Sequence, residues 1–193
     1  MPDDDLALLD RWRGGDTAAG NELFQRHFDA LYRFFQHKTD GDIDDLVQET
    51  FLGCVNGVEA FGRRSTFRTY LFGIARNILF AYWRRRASRG QAIDFDEVSV
   101  ASLSTSVGTR LARAEARAAL LEAMQSLPLE QQTLLELFYW QEFDRRSLAE
   151  ILDVEEATIG TRLFRARKEL QAALATRKDS DADFERWLTS QRS

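Results

Sequence analysis

The residues best suited to chemistry in this chain are the arginines and aromatic residues of positions 61–89. This stretch holds eight arginines and no acidic residue, in a protein of 193 residues whose formal net charge is -5. Its apolar residues recur with the spacing that predicts a helix with one buried face. The residues of that predicted inner face are Phe67, Tyr70, Leu71, Ile74, Ala75, Ile78, Leu79 and Tyr82.

The opposite face of this helix is predicted to meet water. At about 100° per residue, it presents aromatic rings among arginines and small polar residues. The residues of this face are Phe72, Trp83, Arg76, Thr69, Phe80, Gly73, Arg84 and Asn77. Rings stack on unpaired bases and guanidinium groups bind phosphates, so the face suits single-stranded nucleic acid. The alternative is a helix buried on both sides, with only its arginines reaching solvent.

A second basic element occupies residues 157–178, with six basic residues and one acidic residue. A short predicted helix precedes it, and a turn at Asp153-Val154 separates the two, which is the spacing of a helix-turn-helix. Asp153 stands where glycine is usual, and Asp tolerates left-handed geometry better than most residues. The outward face of the second helix carries groups that suit base edges and phosphates, namely Thr158, Thr161, Arg162, Arg165 and Lys168. An ordinary helical hairpin is the alternative, which the basic face disfavours.

Amphipathic helical patterns cover most of the chain and no long stretch alternates like a strand, so we predict an all-α fold with two helical domains. Residues 87–109 are rich in Ser, Gly and acidic residues, which predicts a flexible or extended linker. The predicted domains are then residues 1–86 and 110–174, followed by a C-terminal tail at 175–193. Residues 61–65 are predicted to form a polar loop in which Ser65 caps the arginine-rich helix.

Several kinds of chemistry are not expected from these residues. The single cysteine, Cys54, excludes an internal disulfide and a cysteine-based zinc site, and His27 and His37 lack metal-ligand spacing. No nucleophile is paired with a base, so we expect no enzyme activity, cofactor, metal or small-molecule substrate. The acidic amino terminus lacks a signal-peptide pattern and no apolar run has membrane-spanning length. We therefore expect a cytoplasmic protein without direct membrane insertion.

Several motifs, taken together and in order, resemble a known family. They are IDDLVQETF at 43–51, FRTYL at 67–71, IARN at 74–77 and WRRR at 83–86, then LP at 127–128, LAEIL at 148–152 and TRLFRAR at 161–167. The first four resemble domain two of a bacterial sigma factor of RNA polymerase, and the last three resemble its domain four. A chain with only these two domains resembles the extracytoplasmic-function (ECF) group of the sigma-70 family. The resemblance covers residues 16–86 and 110–174.

The resemblance implies a promoter-specificity subunit that binds the β′ and β subunits of core RNA polymerase and directs transcription initiation. It implies a polymerase-binding surface formed by Asp45, Gln48, Glu49 and Leu52. It implies that the minus-ten element is bound, as its strands part, by Phe61, Arg63, Arg64, Ser65, Arg68, Arg76, Asn77, Phe80, Trp83 and Arg84. The five outward residues of the second helix would read the minus-thirty-five element in the major groove. An anti-sigma factor would hold the protein inactive, in some cases at the membrane.

The chain departs from the family pattern at two places. Ala157-Thr158-Ile159 replaces the Gly-Thr-Val that often precedes the recognition arginines, and Tyr70 stands where tryptophan is frequent. Two other functions fit parts of the sequence. A stand-alone helix-turn-helix regulator would bind duplex DNA but would not need the arginine-aromatic face. An enzyme or RNA-binding protein could use residues 61–89 as a strand-binding platform but would not need the duplex-reading second half.

Overall fold

The regular structure is helical wherever the structure describes the chain. A computed structural model describes residues 2–61, 65–86 and 115–175, together with Phe95 and Ser99. The helices in these ranges are α1 (Pro2–Arg13), α2 (Thr17–Phe35), α3 (Ile43–Phe61), α4 (Phe67–Arg86), α5 (Glu115–Ser126), α6 (Leu129–Tyr139), α7 (Arg145–Leu152) and α8 (Glu156–Ala175). The predicted all-α fold is confirmed, and the helix-turn-helix is formed by α7 and α8.

The backbone divides into two compact units. Residues up to Arg86, together with Arg146–Val154, form one unit, and the described parts of 87–145 and 155–193 form the other. The domain limits proposed from sequence, at 86, 109 and 174, stay predictions. The predicted C-terminal tail lies outside the described residues after Ala175, and most of the predicted linker lies outside them as well.

The core of the first unit is built on α2. Its fully buried side chains are Leu23, Leu31, Phe34 and Phe35. Phe34 meets Phe72 of α4 edge to face, with ring centroids 5.5 Å apart, an arrangement that aromatic pairs favour. Tyr32, by contrast, is exposed. The inner face of α2 therefore includes Phe34, and Tyr32 lies outside it.

A small network of charged and polar side chains connects α1 to α2. His27 Nε2 lies 2.8 Å from Asp5 Oδ2, and Arg26 Nη1 lies 2.9 Å from Asp5 Oδ1. Burial lowers the pKa of His27, although Asp5 opposes that shift. The imidazole is therefore neutral at pH 7 and donates its Nε2–H to the carboxylate, since a carboxylate can only accept. Arg26 also pairs with Asp4 at 2.7 Å and with Glu22.

The turn between α2 and α3 holds the C-terminal half of α4. His37 has a φ of 66°, which reverses the chain and aims the Lys38 carbonyl at α4. The indole Nε1–H of Trp83 donates to that carbonyl oxygen at 2.8 Å. Asp40 accepts from the Tyr82 hydroxyl and pairs with Arg86 at 2.9 Å. Three side chains from the last two turns of α4 are thus fixed by one short turn.

Helices α3 and α4 approach closely where α3 carries glycine. The Tyr70 hydroxyl donates to the Cys54 carbonyl oxygen at 3.0 Å. A Cβ at Gly57 would lie only 2.7 Å from that hydroxyl oxygen. Burial raises the pKa of Tyr70 to about 12, so the hydroxyl stays protonated and keeps its donor role.

The second unit packs α6 and α5 against α8. Buried leucines of α6 (Leu129, Leu134, Leu135 and Leu137) form its core with Ile159, Leu163, Ala166 and Leu170 of α8. These four residues of α8 recur at helical spacing, which predicts one inner face, and all four are buried as that spacing requires. Helix α6 begins after Pro128, whose side chain makes no capping hydrogen bond.

A matched pair of glycine substitutions tests the close contact of α3 and α4. Gly57→Ala should lower the free energy of unfolding by about 1–3 kcal/mol, because the added methyl group overlaps the Tyr70 hydroxyl. Gly73→Ala is the control, since nothing lies within 4 Å of a Cβ built there. It should stabilise the protein by about 0.5–1 kcal/mol through the helix preference of alanine. Urea unfolding measures the change in unfolding free energy for both variants. Equal changes would contradict the close contact between Gly57 and Tyr70.

Candidate nucleic-acid interface

The start of α4 is fixed by Thr66 rather than by Ser65. The Thr69 N–H donates to Thr66 Oγ1 at 3.1 Å, and the two threonine hydroxyls are 2.9 Å apart. Thr66 directly precedes the first helical residue, Phe67, and so occupies the capping position. The prediction that Ser65 caps the helix is wrong by one residue. Phe61 ends α3 rather than starting the loop, and its side chain and residues 62–64, which include Arg63 and Arg64, lie outside the described part of the chain.

The aromatic residues of α4 do not form an exposed platform. Phe72, Phe80 and Trp83 retain 0%, 3% and 1% of their exposure, and Thr69 is buried beside them. The prediction that the rings of this face meet water is wrong, and the alternative of a helix buried on both sides is confirmed for these residues, although Asn77 and Arg84 of the same face are exposed. The physical reason is that α1, α2 and α3 all contact α4, so the apolar residues on its second face are covered too.

The buried rings instead support arginines that reach the surface. The Arg76 guanidinium lies 4.4 Å from the Phe80 ring centroid, and that of Arg68 lies 5.5 Å from the Phe72 centroid. Cations are attracted to the face of an aromatic ring at such distances. Arg76 Nη1 also donates weakly to Asn77 Oδ1, at 3.4 Å. The rings thus fix where two guanidinium groups can lie, although they are not themselves accessible.

The exposed residues of α4 form a narrow polar margin. Asn77 and Arg84 are exposed, while Arg68 and Arg76 are half-buried. The neighbouring Arg85 approaches Glu49 of α3 at 3.5 Å. Four sequence-predicted residues, Arg68, Arg76, Asn77 and Arg84, therefore lie where a strand could touch them. Phe80 and Trp83 do not.

Helix α3 presents a second, acidic surface. Asp45, Gln48, Glu49 and Leu52 are all exposed, with Leu52 at 59% exposure. Their spacing of three and four residues puts them on one side of the helix. The opposite side carries the buried Val47. The buried Thr50 hydroxyl donates a hydrogen bond to the Leu46 carbonyl oxygen at 2.7 Å. An exposed leucine flanked by carboxylates is suited to a protein partner rather than to nucleic acid.

The turn of the helix-turn-helix is closed by local backbone bonds. Asp153 has a φ of 54°, so it adopts the left-handed geometry for which glycine is the usual residue. The Val154 N–H donates to the Ala149 carbonyl at 3.0 Å. On the other side of the turn, the Thr158 hydroxyl donates to the Glu155 carbonyl at 2.8 Å. This hydrogen bond ties the hydroxyl of a predicted DNA contact to the residue that directly precedes α8.

The outward face of α8 differs from the predicted one at two residues. Thr158, Thr161, Arg165 and Lys168 are exposed as predicted, but Arg162 is half-buried at the flank. Its Nη1 lies 3.9 Å from Glu130 Oε1 of α6. Phe164, which is not among the predicted contacts, is 67% exposed. It lies three residues after Thr161 and four before Lys168, a spacing that predicts one shared helix face.

Other chemistry finds no support in the described residues. No group of three or more His, Cys, Asp or Glu side chains there could hold a metal ion. Burial raises the pKa of the Cys54 thiol far above its usual range, which removes it as a nucleophile. None of the described helices combines the length and the apolar character that crossing a membrane would require.

The family models and the known proteins that this chain resembles are all of sigma factors. The family descriptions "Sigma-70 region 2" and "Sigma-70, region 4" match residues 23–89 and 117–170 respectively. The chain is 28% identical over 176 residues to the ECF RNA polymerase sigma-E factor of Haemophilus influenzae, covering 86% of this chain and 93% of that protein. It is 27% identical over 154 residues to the ECF sigma factor SigM of Bacillus subtilis, covering 79% and 93%.

A solved structure agrees in fold. The sigma factor RpoE of Bartonella quintana, crystallised with the anti-sigma factor NepR, matches with a TM-score of 0.61 and 23% identity over 82% of this chain and 98% of that one. The chain therefore belongs to the sigma-70 family, whose regions 2 and 4 it carries in order. Within that family it is a sigma factor of the ECF group, a subunit of RNA polymerase that acts in transcription initiation.

Neighbouring substitutions in α4 separate the core from the surface. Trp83→Ala should lower the free energy of unfolding by about 3–5 kcal/mol, because it empties a buried site and orphans the Lys38 carbonyl. Arg84→Ala, at the next and exposed position, should change it by less than about 0.5 kcal/mol. Urea unfolding followed by circular dichroism gives both values. A small effect from Trp83→Ala would return that ring to the candidate DNA contacts.

Proposed function

We propose that this sigma factor binds polymerase through α3, opens and holds the minus-ten element through α4, and reads the minus-thirty-five element through α8. One observation carries this proposal. A single helical bundle exposes an acidic face with a prominent leucine on α3 and an arginine-asparagine margin on α4. Two surfaces of opposite character on adjacent helices suit a subunit that bridges a protein and a nucleic acid.

The proposed polymerase surface is formed by Asp45, Gln48, Glu49 and Leu52. Leu52 is the apolar centre of this patch, and a large apolar side chain at the centre of an interface is where binding energy concentrates. The carboxylates of Asp45 and Glu49 would steer it toward a basic partner surface. We assign that surface to core RNA polymerase, with the β′ subunit as the main partner and the β subunit as a further one.

The proposed minus-ten contacts are weighted toward the polar margin of α4. Asn77 offers an amide to a base edge, and Arg76, braced on Phe80, lies beside it to bind phosphate. Arg68 and Arg84 extend the basic margin on either side. We propose that the wall of a pocket for an extracted base is formed by Phe61, Arg63, Arg64 and Ser65. Phe80 and Trp83 leave the contact set, because buried rings cannot stack on bases.

The proposed minus-thirty-five contacts are centred on Arg165. Arg165 and Lys168 lie on the exposed face of α8 beside Thr161 and Phe164, where they could enter a major groove. Arg165 suits a guanine edge, and Phe164 suits a thymine methyl group. Thr158 and Lys168 are placed for phosphates. Arg162, at the flank and next to Glu130, is the less suitable base reader.

An anti-sigma factor completes the proposal. A sigma factor of the same fold, RpoE of Bartonella quintana, has been crystallised with the anti-sigma factor NepR. We propose the same kind of control here, with the protein in the cytoplasm and membrane association only through such a partner.

Reconstituted transcription tests the proposed function. Core polymerase with this protein should produce promoter-dependent transcripts that core enzyme alone does not. Leu52→Asp should reduce transcript yield at least about tenfold, since a hot-spot truncation costs upward of about 1.4 kcal/mol. Gln25→Asp, at an exposed site on α2, is the matched control and should transcribe like the original. Binding of duplex DNA by the protein without polymerase, and no transcript with it, would favour the stand-alone regulator.

Substitutions of two neighbouring cations on α8 distinguish recognition of bases from general attraction to phosphates. Arg165→Ala should lower holoenzyme affinity for a minus-thirty-five duplex, selected from a random library, by about 1–3 kcal/mol and weaken its preference over a scrambled duplex. Lys168→Ala should weaken both duplexes alike, as a phosphate contact does. Competition binding at fixed salt measures the two ratios. Equal, sequence-independent losses would remove Arg165 as the reader and return Arg162 to that role.

A further inference from the structure

The first turn of α6 lacks a side-chain cap, and one of its N–H groups is bonded by the predicted linker. The opening N–H groups of a helix have no partner within it, and Pro128 at the cap position makes no side-chain hydrogen bond to them. The Glu130 N–H, one of these groups, instead donates to the Phe95 carbonyl oxygen at 3.1 Å. Ser99 forms an antiparallel bridge with Pro128 beside it. The backbone of the linker therefore supplies what the cap residue does not.

Phe95 is bound by its side chain as well as by its carbonyl. Its ring retains only 7% of its exposure, in a stretch otherwise rich in Ser, Gly and acidic residues. Burying an aromatic ring is favourable by about 25 cal/mol per Å² of apolar surface removed from water. At Phe95 and Ser99, then, the sequence predicted as a spacer is attached to the start of α6.

The side chain of the same Glu130 faces the recognition helix. Glu130 is buried, and its Oε1 lies 3.9 Å from Nη1 of Arg162 on α8. A buried carboxylate requires a partner of opposite charge, and Arg162 lies at the flank of α8 where it can provide one. Glu130 thus touches the linker through its backbone and the recognition helix through its carboxylate.

We propose that Glu130 is a positioning residue for minus-thirty-five recognition, through which the attached linker and the recognition helix are held in one arrangement. The inference rests on the proposed function of α8. Its carboxylate fixes the flank of α8 at Arg162, so the exposed face with Thr161, Phe164 and Arg165 meets the groove already oriented. Ordering these groups before binding reduces the entropy that binding would otherwise lose.

Two substitutions that remove the same charge test this inference. Glu130→Gln keeps the size and the backbone bond of the residue but loses the attraction to Arg162. In holoenzyme, it should reduce the preference for the selected minus-thirty-five sequence over a scrambled one by about threefold to tenfold. Glu169→Gln removes a carboxylate from the exposed side of α8 and should leave that preference unchanged, because it alters only the general attraction to phosphates.

A double-mutant cycle shows whether the effect passes through Arg162. In an Arg162→Gln background, Glu130→Gln should have no further effect on the preference. Glu130→Asp, which keeps the charge but shortens its reach, should give an intermediate value and serves if the amide variant unfolds. Unchanged or increased preference in Glu130→Gln, or its full effect without Arg162, would overturn the inference. A holoenzyme of the original protein without any preference would instead contradict the proposed function.

Hydrogen exchange tests the attachment of the linker directly. In the full chain, the Glu130 amide should exchange slowly, because it is bonded to the Phe95 carbonyl. Phe95→Ala should speed its exchange at least about tenfold, as loss of about 1.4 kcal/mol of local stability would produce. The same variant should also lower the sequence preference. Exchange at Glu130 that Phe95→Ala leaves unchanged would show that Phe95 does not hold the linker there.

Discussion

The burial of α4 on two sides is the constraint on which the first unit depends. Its inner face packs as the apolar spacing requires, and its second face is closed by Phe72 against Phe34 and by the Trp83 indole on the Lys38 carbonyl. A helix held in this way cannot rotate without exposing an aromatic ring or orphaning a buried carbonyl. The residues left at its margin are therefore presented in fixed positions.

That rigidity has a chemical use in the proposed role of the protein. Guanidinium groups on flexible stems lose rotamer freedom when they bind, but Arg76 and Arg68 already rest on Phe80 and Phe72. In the proposed nucleic-acid surface, the buried aromatic rings hold arginine guanidinium groups in position and do not stack on bases. The acidic face of α3 is held beside it by the close contact that Gly57 permits.

In the second unit, the recognition helix is positioned by contacts outside its own exposed face. Its inner leucines pack on α6, and Arg162 joins its flank to Glu130. Asp153 closes the turn before it in left-handed geometry, without the glycine that would adopt this conformation at no cost. The exposed face is thus left to Thr161, Phe164, Arg165 and Lys168, a combination of one ring, one hydroxyl and two cations.

The helical class, the helix-turn-helix and the inner faces of α4 and α8 could be predicted from the sequence. These follow from apolar spacing, which is a local property of consecutive residues. Which helices are covered on a second face depends instead on how the helices pack together. Phe72, Phe80 and Trp83 are buried because neighbouring helices contact α4 there, whereas the equally apolar Phe164 is exposed because nothing among the described residues covers it. Spacing along one helix does not specify how many other helices surround it, and for the same reason it placed Arg162 on a free face when Glu130 lies against it.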